Sequence, residues 1–152
     1  MTVDAFWQDF LTATNRDPST KYYSSFHFCT DEKLANDLLD LVLAGKKTAA
    51  ASSLWAYEIE GERLPQVGDC SIVTDFAGNP YCVIETTSVI IMRFNEMTYD
   101  ICKREGEDDS LESWQEGHRK AFSQEGAELG FKFSEDMPIV FEDFTVAYKR
   151  HN

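Results

Sequence analysis

Two adjacent lysines, Lys46 and Lys47, are the side chains best placed to do chemistry in this chain. They follow a segment whose leucines recur at helical spacing, and they precede a run of small residues from Ala49 to Ser53. Small side chains let a ligand approach the backbone closely, and adjacent ammonium groups create a local positive field. The pattern fits either a solvated lysine pair after a helix or the floor of a ligand cleft formed by Lys46, Lys47 and Thr48.

Lys47 has four interpretations. Burial without a partner favours the neutral amine, which is a base. Pairing with an acid such as Glu107 keeps the ammonium charged, so that it anchors a phosphate or carbonyl group. A lysine beside a positioned hydroxyl, here Thr48 or Ser52, is also the arrangement that covalent amide hydrolysis requires. The remaining interpretation is structural, with Lys47 bridging the helix end and the following strand.

Four acids precede the last predicted helix: Glu105, Glu107, Asp108 and Asp109. Such a run is typical of a solvated loop, and Asp109 with Glu112 matches a capping box. Glu107 lies ahead of that cap, and we predict that it points into the cleft as a general acid–base or as the partner of Lys47. The spacing of the acids does not match a metal site, so we expect no metal and no cofactor.

Trp114 and His118 are one helical turn apart and therefore share a helix face. An indole offers a stacking surface for a base, and an imidazole hydrogen-bonds or relays a proton. The alternative is core packing, with the histidine satisfied by a backbone carbonyl. We also predict that Tyr57 and Trp55 line the opposite wall of the cleft.

Helices and strands that interleave along the chain must position these side chains. Apolar spacing predicts three main helices, over residues 3–14, about 30–44 and about 109–129, and shorter helical turns at 54–58 and 98–104. Strands are predicted over residues 47–53, 70–76, 81–93 and 139–148. The strand over 81–93 is long enough to predict a bulge. This order favours an α+β fold: a small barrel of mostly antiparallel or mixed strands with helices around it.

The length of 152 residues suits one domain, which we place over residues 1–152. With 14 basic and 27 acidic residues the formal charge is −13. Such an acidic surface repels phosphate backbones, so contact with RNA requires a local basic patch. The helix within residues 1–25 carries aromatic side chains on one face and either packs on or beside the barrel or docks onto a second chain, which leaves a homodimer open.

Composition also bears on location and cysteine chemistry. No apolar run reaches the roughly 20 residues that a membrane span needs, and Met1–Asp4 lacks the basic-then-apolar pattern of a signal peptide. We therefore expect a cytoplasmic protein that makes no membrane contact.

The four cysteines, Cys29, Cys70, Cys82 and Cys102, show no C-x-x-C pair, which predicts buried free thiols.

Several stretches in one order resemble a known family. The helix ending in Ala44-Gly45-Lys46-Lys47-Thr48, followed by Leu64-Pro65-Gln66-Val67-Gly68-Asp69, resembles the ASCH domain, a relative of the PUA-type RNA-binding barrel. Further stretches resemble its longer YhfF-like branch: Phe6-Trp7-Gln8-Asp9-Phe10, Asn79-Pro80, Glu105-Gly106-Glu107-Asp108, Trp114-x-x-x-His118 and Ser134-Glu135-Asp136-Met137-Pro138. The resemblance implies a PUA-like β-barrel flanked by helices, with a cleft for RNA or a nucleoside-like ligand.

One ASCH branch is an amidohydrolase of N4-acetylcytidine that uses a lysine, a threonine three residues later and a glutamate. The resemblance places the lysine at Lys47 and the glutamate at Glu107, but the threonine position is Ala50, which has no nucleophile. A further branch resembles a ribonuclease that again uses the motif lysine. We therefore expect a binding module for RNA or a nucleoside-like molecule, with an amidohydrolase or ribonuclease-like enzyme as the alternative. In the amidohydrolase Lys47 is the base, Glu107 the acid, and Thr48 or Ser52 the substitute nucleophile.

Overall fold

The computed structural model describes residues 1–151. Five helices are formed: α1 (Val3–Ala13), α2 (Glu32–Leu43), α3 (Leu54–Glu60), α4 (Tyr99–Cys102) and α5 (Leu111–Leu129). Five strands alternate with them: β1 (Ser24–Phe26), β2 (Ala49–Ser53), β3 (Cys70–Thr74), β4 (Pro80–Arg93) and β5 (Pro138–Lys149). Short 3-10 turns at Phe94–Glu96 and Lys103–Glu105 flank α4. Within the described residues, no helix combines the length and the apolar character of a membrane span.

The five strands form one sheet in the order β1-β3-β4-β5-β2. Only β1 and β3 run parallel; the other three pairings are antiparallel. The sheet curls into a half-barrel with the helices packed around it, which confirms the predicted α+β class with mixed strands.

The curl has a local cause in the long β4–β5 ladder. Its register shifts twice, between Val83 and Ile84 and between Thr86 and Ser88. An extra residue in one strand bends that strand and increases its twist. The prediction that the long strand contains a bulge is therefore confirmed. The first part of β4, from Pro80 to Glu85, pairs with β3 on its other edge, and β4 pairs with β5 from Cys82 to Arg93.

Three clusters of buried apolar side chains hold helices to the sheet. The α1 helix packs its aromatic face, including Phe6 and Phe10, against Ile72 and Val83 of the sheet. The α2 helix packs Leu39 and Val42 against a second patch. Trp114 and Phe122 of α5 lie in the third cluster, against β2 and the first half of β5. Residues 1–25 thus form part of the packed body.

Three local expectations differ from the structure. The strand β1 was expected to be loop, because three residues without alternating polarity carry no strand signal; its pairing with β3 is a tertiary contact. Ser110, not Asp109, caps α5, and its hydroxyl accepts from the Ser113 N–H at 3.1 Å. At α2 the sequence also predicts Thr30 as the N-cap, but Asp31 caps the helix in the same way. Adjacent residues of similar capping ability are not separable by sequence alone.

All four cysteines are free thiols, and three of them are buried as predicted. Cys29 is exposed, which corrects the expectation for that residue. It lies in the loop between β1 and α2 with a positive φ of 58°, a conformation that non-glycine residues rarely adopt.

Candidate functional site

Two loops converge to build the site, one after α2 and one before α5. The first leaves α2 through Gly45 and carries Lys46 and Lys47. The second is the 3-10 turn Lys103–Glu105 and the residues that follow it. The Thr48 N–H donates to the carbonyl of Arg104 at 2.9 Å and the Thr48 hydroxyl donates to the same oxygen at 3.1 Å. The two loops are therefore joined through their main chains.

Lys47 is the buried cation of this junction. Its Nζ donates to Glu107 Oε2 at 2.6 Å and to the carbonyl of Ala49 at 2.8 Å. Its side chain is 2% exposed, whereas that of Glu107 is 24% exposed. The structure thus brings together the lysine and the acid that sequence reasoning selected. The two acceptors together hold the Lys47 Nζ in one position.

Glu105 is a site residue that sequence reasoning missed. Its side chain is 3% exposed and Oε1 accepts from the Ala51 N–H at 3.2 Å. Oε1 also lies 3.7 Å from Lys47 Nζ, and Oε2 accepts from the Trp114 indole N–H. Glu105 therefore connects β2, the lysine and α5. In the sequence it is one of several neighbouring acids, and no local pattern marks it as the buried one.

His118 and Glu105 stabilise each other's charged forms. Burial alone raises the pKa of Glu105, but the neighbouring His118 ring and the charge of Lys47 outweigh burial, so its pKa lies below the ordinary value. Burial likewise lowers the pKa of His118, but the Glu105 carboxylate, 3.7 Å from Nε2, outweighs it and the net shift is upward. The second ring nitrogen, Nδ1, lies 2.9 Å from the Trp114 carbonyl oxygen. The ring is thus held through Nδ1, and Nε2 faces the Glu105 carboxylate.

Trp114 is not available as a stacking surface for a ligand, which corrects the expected role. The side chain is fully buried. Phe94 covers one face with ring centroids 5.2 Å apart, and His118 stacks on it at 4.2 Å. The indole instead holds Glu105 in place from behind. His118 occupies this same buried layer and not a cavity wall.

A cavity with a volume of about 760 Å³ lies against one face of the sheet. Its floor is the small-residue strand β2, through Ala50, Ala51 and Ser52. Six aromatic side chains line it: Tyr22, Tyr23, Phe26, Phe28, Tyr57 and Phe144. We call this space the aromatic cleft. Tyr57 lines this cleft, whereas Trp55, which was expected beside it, packs against Phe131 in the cluster under α5.

Phe28 stands between the aromatic cleft and the charged cluster. It lines the cleft, and Lys47 Nζ lies 5.1 Å from the centroid of its ring. Cys29 beside it also lines the cleft. Burial raises the pKa of the Cys29 thiol, Glu107 raises it further, and Lys47 opposes the shift. The cluster and the cleft are therefore neighbours separated by one aromatic ring.

Acidic side chains line the opposite part of the cleft. Burial raises the pKa of Glu142, whose Oε2 accepts from the Thr86 hydroxyl at 2.5 Å. Burial also raises the pKa of Glu125, whose Oε1 is buried without a hydrogen-bond partner in the part of the chain that the structure describes. The guanidinium of Arg63 is paired with Asp69 at 2.9 and 3.2 Å.

Lys46 and Thr48 do not line the aromatic cleft. Lys46 is exposed on the loop, and the Thr48 hydroxyl is bound to the Arg104 carbonyl. Thr48 borders a separate cavity of about 360 Å³, together with Lys47 and Lys149. Within residues 1–151, no group of three or more metal-ligand side chains is present.

Comparisons with protein-family models and with solved structures identify proteins that are similar to this chain. The model of the ASCH domain family matches residues 24–148. The chain is 44% identical to an ASCH domain of known structure from Lactobacillus crispatus JV V101, covering 95% of this chain and 92% of that one, with a TM-score of 0.87. It is 34% identical to protein EF3133 from Enterococcus faecalis V583, covering 97% and 88%, with a TM-score of 0.89.

A third solved structure, the hypothetical protein PH0355, is 15% identical with a TM-score of 0.51 and shares the fold alone. It covers 84% of this chain and 99% of that one. Among curated proteins, none matches the chain. The family match extends from β1 to β5 and includes both loops that carry Lys47 and Glu107. The resemblance read from the sequence is therefore confirmed at the level of the family: this chain belongs to the ASCH domain family, with its PUA-like fold.

Proposed function

We propose that the aromatic cleft binds a nucleobase, presented either as a free nucleoside or as one base of a single-stranded RNA. The observation that carries the proposal is the cleft itself, which has a volume of about 760 Å³ and six aromatic side chains around a floor of small residues. Ligand pockets are typically about 300–1,000 Å³, and planar bases bind by stacking on aromatic side chains.

The charges around the cleft favour a base over a phosphate. Glu125 and Glu142 line it, and Arg63, its nearest cation, is paired with Asp69. The whole chain carries a formal charge of −13. The acidic side chains that line the cleft would therefore repel a phosphate backbone, so a phosphate attached to the bound base would lie outside the cleft. Lys47 takes part as a buried support for the floor, through its bond to the Ala49 carbonyl.

Calorimetric titration with adenosine, cytidine, guanosine, uridine and a short single-stranded oligoribonucleotide tests the proposal. Stacking on one aromatic side chain contributes about 1–3 kcal/mol, so Tyr57→Ala should weaken binding by roughly 5- to 150-fold. Tyr99→Ala is the matched control, because Tyr99 is an exposed tyrosine on α4 outside the cleft. Equal affinities of the two variants, or no binding of any nucleoside or oligoribonucleotide, would contradict the proposal.

The second candidate is the amidohydrolase. It is favoured by the 2.6 Å contact between Lys47 and Glu107 and by Ser52, a hydroxyl side chain on the cleft floor. Two features oppose it. Ala50 occupies the cleft position at which the resemblance places a threonine, and the Lys47 amine is held by two acceptors. We therefore expect no turnover.

Incubation with N4-acetylcytidine, followed by chromatography for cytidine and acetate, separates the candidates. Turnover by the native chain that is lost in both Lys47→Ala and Ser52→Ala would establish the enzyme and displace the binding module. The same incubation with the oligoribonucleotide reports on the ribonuclease-like alternative. An intact oligoribonucleotide that nevertheless binds is the result that the binding proposal predicts.

A further inference from the structure

Glu142 lies beside Ala50 in the sheet, at the point where the cleft floor lacks a hydroxyl. In the β2–β5 ladder the partner of Ala50 is Glu142. Side chains of directly opposed residues in antiparallel strands lie on the same face with Cβ atoms about 4.5–5.5 Å apart. Both residues line the aromatic cleft. Glu142 thus lies next to Ala50 on the face of the sheet that borders the cleft.

The Glu142 carboxyl is supported on one oxygen and available on the other. Oε2 accepts from the Thr86 hydroxyl at 2.5 Å, and Thr86 is itself buried on the neighbouring strand. This bond fixes the orientation of the carboxyl group, so that Oε1 is the oxygen offered to a ligand. The carboxyl lines the cleft, so a ligand N–H that reaches Oε1 would form a charge-assisted hydrogen bond there.

Tyr57 supplies a donor near this acceptor. It lines the same cleft, and burial together with the nearby Tyr23 and Glu142 raises its pKa to about 12. The phenol therefore keeps its proton at neutral pH and donates a hydrogen bond. The Arg63 guanidinium is bound to Asp69 and does not neutralise the Glu142 carboxylate by a direct pair. The lining of the cleft thus includes both an acceptor and a donor.

We infer that Glu142 and Tyr57 form a specificity subsite for a base that carries an amino group next to an unprotonated ring nitrogen. The amino group donates to Glu142 Oε1 and the ring nitrogen accepts from the Tyr57 hydroxyl. Adenine and cytosine present this edge. Hypoxanthine and uracil present the reverse pattern, a carbonyl next to an N–H, and place an acceptor against the carboxylate. The inference rests on the proposed function and specifies which bases the cleft takes.

The experiment compares two matched ligand pairs by calorimetry: adenosine against inosine, and cytidine against uridine. Sites that hydrogen-bond a ligand group reject the analogue lacking it strongly, so the native chain should prefer the amino-bearing member of each pair by at least about tenfold. Glu142→Gln keeps the shape but adds an amide N–H₂ that tolerates a carbonyl, so the preference should fall to within about threefold. Glu62→Gln, a change to another acid that lines the cleft, is the control and should leave the preference intact.

The outcomes separate the inference from the function on which it rests. Equal binding of both members of each pair by the native chain would overturn the inference and leave nucleoside binding standing. Preference for inosine and uridine would also overturn it. No binding of any nucleoside would overturn the proposed function and the inference together. Because the native ratios decide these cases, the test does not depend on the folding of the Glu142 variant.

Discussion

Gly106 packs directly against the backbone carbonyl of Lys46. A Cβ built on Gly106 would lie 2.2 Å from the Lys46 oxygen and 2.7 Å from its carbon. Gly106 also has a φ of 73°, which favours glycine. Because Glu105 and Glu107 flank this glycine, the contact sets the distance between the acids and Lys47 across two loops that are distant in sequence.

The first prediction concerns this contact. Gly106→Ala should separate the two loops and break the bond between Lys47 and Glu107. Gly61→Ala is the matched control, because Gly61 has a similar φ of 66° and nothing within 4 Å of its added Cβ. The control should lose about 1–2 kcal/mol of unfolding free energy from the left-handed conformation alone, and Gly106→Ala should lose clearly more. Equal losses of unfolding free energy in urea denaturation would show that the backbone contact does not contribute to stability.

The second prediction concerns Lys47 and its neighbour. Lys47→Met leaves Glu105 buried without its nearby cation and should lower the unfolding free energy by about 3 kcal/mol. Lys46→Met changes an exposed side chain and should stay within about 0.5 kcal/mol of the native value. Equilibrium denaturation of both variants checks this. If the two lysines have the same effect, the buried pair does not stabilise the fold.

The third prediction concerns pH. The pKa of His118 is raised above its ordinary value of 6.5, so its contribution to stability is complete below pH 6.5 and is lost as the pH rises through the raised value. The pKa of Glu105 is lowered, so its contribution is present above its ordinary value of 4.5 and is lost as the pH falls. The native chain should therefore exceed His118→Gln in unfolding free energy by more at about pH 6 than at about pH 9.

The control for this pH effect is the same substitution in a Glu105→Gln background. There His118 has lost its charged partner, and His118→Gln should produce a difference that varies much less with pH. A difference that grows with rising pH in the native background would contradict the sign of the His118 shift.

The fourth prediction uses Cys29 as a reporter of cleft occupancy. Cys29 is the exposed thiol, it lines the cleft, and burial together with Glu107 raises its pKa. Alkylation should therefore be slow at neutral pH and faster at higher pH, because the thiolate is the reactive form. A saturating concentration of the bound nucleoside should slow alkylation further, as followed by mass spectrometry. Unchanged rates in the presence of a nucleoside that binds would place that nucleoside outside the cleft.

Much of the fold was predictable because its signals are local. The helix α2 and its glycine exit follow from leucine spacing and from Gly45, and the bulged β4 follows from its length and β-branched residues. The pairing of β1 with β3 was not predictable, since it depends on a parallel contact between segments that are far apart in sequence. The exact caps of α2 and α5 were missed by one residue each.

The candidate site likewise contains residues that the sequence identifies and residues that only the structure reveals. Motif resemblance selected Lys47 and Glu107, which the structure places in contact. Glu105 was missed because burial, and not residue type, distinguishes it from neighbouring acids. Trp114 was assigned to a ligand because spacing shows which residues share a helix face, but not whether that face is covered; here Phe94 covers it. The role of Glu142 arises only from strand register with Ala50.

The most direct measurement of the central claim is a ¹H–¹⁵N NMR titration of the native chain with adenosine and cytidine. If the aromatic cleft binds these nucleosides, the largest chemical-shift changes should fall on the cleft floor and walls, at Ala50, Ser52, Phe28 and Tyr57. Smaller changes should occur at Trp114 and His118 behind the floor. Changes confined to the opposite side, at Thr48 and Lys149, or no changes at saturating nucleoside, would contradict it.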